Sequence, residues 1–186
     1  RYPGPATIPM ANDSNLARLA EDQKRGNLVH GHFSHELLQV LNGMRSTVAE
    51  LRRADPELAS RLREPALLYR RLYAAPYDMI CDIRSKLLKR YAQTYADLRP
   101  LAESDIEPEE LARQALGDLA GEILAALRCL EEGLTELRER ESELGEELRR
   151  GGRVHDRLYG VPYTRLAQIR DSIPIVVNGI YARLIV

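Results

Sequence analysis

The sequence predicts an all-α fold: an elongated antiparallel bundle of about four long helices, one of them very long and coiled-coil-like. Three observations predict it. Apolar residues return every three or four positions along most of the chain, which places them on one face of a helix. No segment sustains the period-two alternation of a strand. Prolines and capping patterns punctuate the periodic stretches where helices start and stop.

The first 13 residues carry three prolines and a glycine and read as an extended lead-in. A weak pattern begins at Ser14 and is loosened by Gly26 and Gly31. It becomes firm at Phe33, Leu37, Leu41, Met44, Val48 and Leu51, giving a first main helix near 30–54. Asp55-Pro56 is a helix start, an N-cap followed by a proline whose missing N–H costs nothing in the first turn. Pro65 ends or bends that short piece, and residues 66–75 form another. Pro76 separates it from a second main helix near 77–98, with Ile80, Ile83, Leu87, Tyr91 and Leu98 in register. Pro100 stops that helix.

Ser104-Asp105-Ile106-Glu107 has the spacing of a capping box, with Pro108 just inside. The third helix, 106–150, has the clearest pattern: Leu116, Ala120, Ile123, Leu127, Leu130, Leu134, Leu137, Glu141, Leu144 and Leu148. Uninterrupted, it would be a rod of roughly 60 Å. Its second half keeps one apolar stripe amid dense charge, so residues 131–150 are expected to project as a tip. Glu141 at a seam position, with Gly133 and Gly145 nearby, weakens that tip. Residues 151–162 read as a polar connector. The last helix, 164–186, carries Leu166, Ile169, Ile173, Val176, Ile180 and Leu184, with Pro174 inside it. No internal repeat is expected, and residues 1–186 are taken as one domain.

Composition narrows the function. The 186 residues hold 27 Lys plus Arg and 28 Asp plus Glu, a net charge of −1. A dedicated nucleic-acid binder normally carries a basic excess, so nucleic acid is not an expected partner. No apolar run approaches the roughly 18 residues of a membrane span, and direct membrane contact is not expected of this stretch. A cytoplasmic location follows as an expectation, and the ends read as those of a trimmed fragment. Charge is uneven: residues 51–100 carry 11 basic and 6 acidic side chains, and residues 107–150 carry 6 and 13. Helices of opposite sign suit each other across a bundle or a symmetric dimer.

Three histidines, His30, His32 and His35, fall within six residues and precede Glu36. They are the candidate metal ligands, but a site needs a third or fourth ligand from elsewhere. A polar helix start is the favoured reading, and no cofactor is expected. Cys81 and Cys129 sit among apolar neighbours as inert core residues. Phosphate loops, dinucleotide glycine patterns and nucleophile elbows are absent, so no catalytic residue is assigned.

Nine tyrosines stand against one Phe and no Trp. Tyr69, Tyr73 and Tyr77, then Tyr91 and Tyr95, recur at helical spacing with Arg70 nearby. Tyrosine and arginine are favoured at protein interfaces. The candidate contact surface is therefore this Tyr-rich face, together with Leu137, Leu144 and Leu148 on the tip. The expected function is non-catalytic: self-association and protein–protein interaction.

Two short resemblances bear on this. Ser34-His35-Glu36-Leu37 resembles the phospho-acceptor box of sensor histidine kinases, without the Arg-x-Pro that follows there; it implies a phosphotransfer bundle using His35 as one alternative, the other being a metal-binding sensor bundle that uses the His30–His35 cluster. Ile169-Arg170-Asp171-Ser172-Ile173-Pro174-Ile175-Val176-Val177 resembles the start of the GTPase effector segment in dynamin-superfamily stalks. Arg1-Tyr2-Pro3-Gly4 is similar to the Arg-Glu-Leu-Pro-Gly that precedes a long helix of that stalk. That resemblance, over about 20 residues, implies an assembly stalk without its GTPase domain.

Overall fold

The computed structural model describes residues 4–182 apart from Asp97 and Ile106, and the side chains from Asp13 onward with a few exceptions near Pro108 and the C-terminus. Among the described residues the chain is all-α and contains no strand. No helix among them is long and apolar enough to cross a membrane.

Helix α1 is Gly4–Ala54, so the expected lead-in is helical from Gly4 onward, and the first main helix begins far upstream of residue 30. Asp55 accepts hydrogen bonds from the Glu57 and Leu58 N–H groups and starts α2, Pro56–Arg61. Residues 67–94 form one continuous helix, α3: Leu67–Tyr69 and Ala75–Thr94 are α-helical and Arg70–Ala74 make a single π turn. Pro76 therefore does not separate two helices. The Ala75 N–H reaches back five residues to the Arg70 carbonyl, just ahead of the proline that has no N–H to give.

The wide turn also solves a packing problem. Leu68, Leu72, Pro76 and Ile80 are all buried at strict four-residue spacing. On a 3.6-residue helix such a column would drift around the axis by about 40° per step. The π turn absorbs part of the drift.

Helices α4, Leu98–Ala102, and α5, Pro108–Leu116, follow. The expected 106–150 rod is not one helix. After Gly117-Asp118 comes α6, Leu119–Arg140, and the chain then breaks at Glu141, whose backbone is extended. Helix α7, Ser142–Arg150, folds back on the end of α6. The tip does not project: Leu134, Leu137, Leu144 and Leu148 are all buried in the main core. Gly145 lets α7 approach α6 closely, since a Cβ there would fall 2.8 Å from the Arg138 carbonyl oxygen.

The expected connector 151–162 is mostly helical. Gly151 and Gly152 turn the chain at φ 73° and 145°, a region open to glycine. Helix α8 then runs over residues 153–182, with Arg153–His155 and Val161–Ala182 α-helical and a second π turn at Asp156–Gly160. It stays helical through Pro174. Leu184 lies outside the described residues.

The two π turns expose an internal repeat that the sequence reading did not expect. Arg71-Leu72-Tyr73-Ala74-Ala75-Pro76-Tyr77 recurs as Arg157-Leu158-Tyr159-Gly160-Val161-Pro162-Tyr163, 86 positions on. At that spacing residues 33–84 align with 119–170 without a gap, and 17 of the 52 pairs are identical. Burial repeats in step. Phe33 and Leu119, Leu37 and Ile123, Leu51 and Leu137, Leu62 and Leu148, and Ile83 and Ile169 are all core pairs. The chain is one helical unit used twice: long helix, short return helix, long helix with a π turn.

The long helices pack in alternation. Helix α1 lies against α3 and α8, and α6 lies against the same two, around one apolar core. The two π turns touch each other near the centre. A smaller cluster of Leu19, Tyr91, Tyr95, Ala102 and Leu111 joins the early part of α1 to the end of α3 and to α4 and α5.

Candidate functional site

The seam between the halves carries matching polar contacts. Arg71 Nε lies 2.7 Å from Glu136 Oε2, and Arg157 Nη2 lies 2.7 Å from Glu50 Oε2. Each arginine of one half meets the glutamate of the other. The Glu50 carboxyl is held below its ordinary pKa by its hydrogen bond and charge interaction with Arg157.

Within each half an arginine clamps the return helix. Arg52 Nε donates to the Leu62 carbonyl at 2.8 Å, and Arg138 Nη2 donates to the Leu148 carbonyl at 3.0 Å.

The predicted Tyr face is part of this internal framework. Tyr69, Tyr73 and Tyr77 stack with ring centroids 5.3 and 5.2 Å apart, and the Arg52 guanidinium lies over the Tyr69 ring. His155, Tyr159 and Tyr163 repeat the ladder at 5.3 and 5.2 Å. Tyr163 donates its hydroxyl hydrogen bond to Glu131. All six rings are half-buried. Burial raises the Tyr73 and Tyr159 pKa values. Arg70 is exposed and donates to the Pro65 carbonyl at 3.1 Å.

Tyr91 and Tyr95 are not on that face; both are buried in the smaller cluster. Tyr91 donates to the Gln23 carbonyl, and Tyr95 donates to the carboxylate of Asp22, itself buried. Burial, reinforced by the Asp22 charge, raises the Tyr91 pKa. Gly26 faces the Tyr91 ring across this contact, where a side chain would collide with it. Leu137, Leu144 and Leu148 are buried in the main core. Seven of the nine tyrosines, those at 69, 73, 77, 91, 95, 159 and 163, therefore seal the bundle's own seams before they serve any partner.

The histidines do not converge. His30 is buried against Tyr91, with ring centroids 5.3 Å apart. His32 is exposed and edge-on to Phe33. His35 is exposed, 3.0 Å from the Gln39 amide, and Glu36 is half-buried. Among the described residues no group of three or more His, Cys, Asp or Glu side chains is placed to hold a metal ion. Cys81 and Cys129 are half-buried free thiols, and burial pushes both pKa values up, away from the reactive thiolate.

His30 has a consequence for stability. Burial lowers its pKa; a hydrogen bond with the Leu87 backbone opposes this, and the charge of Arg84 adds to it. The unfolded chain, with an ordinary histidine pKa of about 6.5, binds that proton at higher pH than the folded chain does. The contribution of neutral His30 is complete above about pH 6.5 and is lost as pH falls from there toward the folded value. Leu116 occupies the matching position in the second half. His30→Leu is expected to flatten the fall in urea midpoint between pH 7 and pH 5; parallel curves for the two proteins would refute it.

The halves differ in kind at the end of α8, where charged residues give way to apolar ones. The α1 and α8 helices run antiparallel, with Glu50 against Arg157 and Gln39 against Arg165. That register carries the part of α8 beyond Pro174 alongside α1 residues near 27–31. In the first half the corresponding α3 positions are Lys89 and Arg90; in the second they are Ile175 and Val176. Ile175 is 73% exposed, and Leu28 on α1 is 65% exposed. Sequence reading missed both residues, because the signal for Ile175 is visible only when the halves are aligned.

Comparison of the chain with protein-family models, curated proteins and solved structures finds no match.

Proposed function

We propose that the protein is a non-catalytic helical module that works by association, first of all with a second copy of itself, through the apolar end formed by α1 near Leu28 and α8 beyond Pro174. The observation that carries this reading is the exchange of Lys89 in the first half for the exposed Ile175 in the second; the neighbouring Val176, in place of Arg90, packs half-buried against the chain's own core. A helix position that needed only to face water would keep its charge, as Lys89 does. Ile175 leaves its side chain largely in solvent instead, and apolar surface of this kind is stabilised when a partner covers it. The segment that resembles the dynamin-superfamily effector region, 169–177, includes Ile175 and agrees with an assembly role.

Leu28→Glu combined with Ile175→Glu tests the proposal. Both side chains are exposed, so helicity and thermal stability are expected to stay near those of the unaltered protein. The mass measured by light scattering is expected to fall to about half that of the unaltered protein. A mass identical to that of the unaltered protein at every concentration sinks the reading.

A further inference from the structure

We propose that the seam between the halves is a self-complementary two-fold interface that also fits a second copy of this chain, so that two chains associate by reciprocal exchange. In the exchanged pair, α1–α5 of each chain pack on α6–α8 of the other. This does not rest on the apolar end described above and uses different residues.

Both halves present the same chemistry to the seam. Glu50 and Arg71 belong to one half, and Glu136 and Arg157 occupy the matching positions in the other. They pair crosswise at equal 2.7 Å distances, as residues do across an isologous dimer interface. The core positions that meet there are likewise matched. A half therefore finds its complement equally well within its own chain or in another.

The joint between the halves is suited to opening. Only Gly117 and Asp118 separate α5 from α6. Gly117 has φ −55° and ψ −35°, and Asp118 has φ −91° and ψ −9°, both close to helical values. Straightening these two residues would continue α5 into α6 and swing the second half away, while α4 and α5 stay on α1 and α3. The exchanged pair would keep every core contact and differ only at this joint and in the entropy of association. Exchange of identical elements is a low-cost route to dimers for that reason.

Two full-length variants test it. One carries Arg71→Glu and Arg157→Glu; the other carries Glu50→Arg and Glu136→Arg. Alone, each sets like charges against one another at both seam contacts. Exchanged with each other, they restore opposite charges at all of them. Refolding the two together is expected to give a mixed dimer, seen by native mass spectrometry, that melts above either variant alone. Recovery of only single-variant species would overturn the proposal.

Deleting Gly117 and Asp118 from the otherwise unaltered chain gives an independent check. The closed monomer loses its joint, and assemblies built from exchanged pairs are expected, with two exchanged chains as the smallest unit. A folded monomer overturns the proposal, and so does an unfolded chain, because exchange leaves every core contact available. Adding Leu28→Glu and Ile175→Glu to the deletion is expected to leave a dimer of twice the chain mass, which separates this interface from the apolar end.

Discussion

Leu137→Asp together with Leu144→Asp is expected to unfold the protein, with loss of far-UV circular dichroism across the whole chain. Read from the sequence, these residues would lie on a projecting tip, and the change would mainly lower the oligomeric mass. In the structure Leu137 is 0% and Leu144 2% exposed, and both belong to the main core. Removing a buried leucine costs about 2–5 kcal/mol. Placing a carboxylate where it has no partner adds several kcal/mol more. Two such changes exceed the roughly 5–15 kcal/mol that holds a domain of this size together. A helical, cooperatively melting double variant would show that α7 does not fold back on α6.

Gly133→Thr is expected to destabilise the fold by about 2–3 kcal/mol, which lowers the Tm by about 4–12 °C. The matching residue of the first half is Thr47, so the change merely copies into one half what the other already contains. The surroundings decide the outcome. A Cβ at Gly133 would lie 2.8 Å from the Arg71 carbonyl oxygen and 3.2 Å from the Arg71 Cβ. Backbone on a packed helix does not move aside cheaply. The α3–α6 seam is tight at that point because α6 has no side chain there. Thr47→Gly, at the half-buried counterpart, is expected to cost less, about 0.3–0.5 kcal/mol from the lower helix propensity of glycine than of threonine. Equal costs at the two positions, measured by chemical denaturation, would contradict the tight seam.

Much of the secondary structure was legible because it depends on local rules. The Phe33–Leu51 and Leu116–Leu148 stripes mark helix faces, and the Asp55-Pro56 signal starts a helix where it should. Three features went unread, each for a physical reason. Pro76 reads as a break between helices and Pro162 as the end of a connector, yet a π turn ahead of each accommodates the missing donor, and nothing in the local pattern distinguishes the outcomes. The break at Glu141 keeps the apolar spacing intact on both sides, so a stripe that bends back on itself reads like one that runs straight. The repeat is diluted by swaps of one aliphatic residue for another, such as Val48 and Leu134 or Ile80 and Leu166, which preserve burial while erasing identity. Of the candidate site, the tyrosine spacing was legible. That these rings face inward depends on which neighbouring helix covers them, and helical spacing alone does not contain that information.

Because the same scaffold is built twice within one molecule, the chain supplies its own reference standard. Where counterparts agree, as at Arg71 and Arg157, architecture is enough to explain the choice. Where they part company, as at Lys89 and Ile175 or His30 and Leu116, one member has been released from the shared blueprint. Those divergences, rather than the likenesses, mark where a mutational survey should begin.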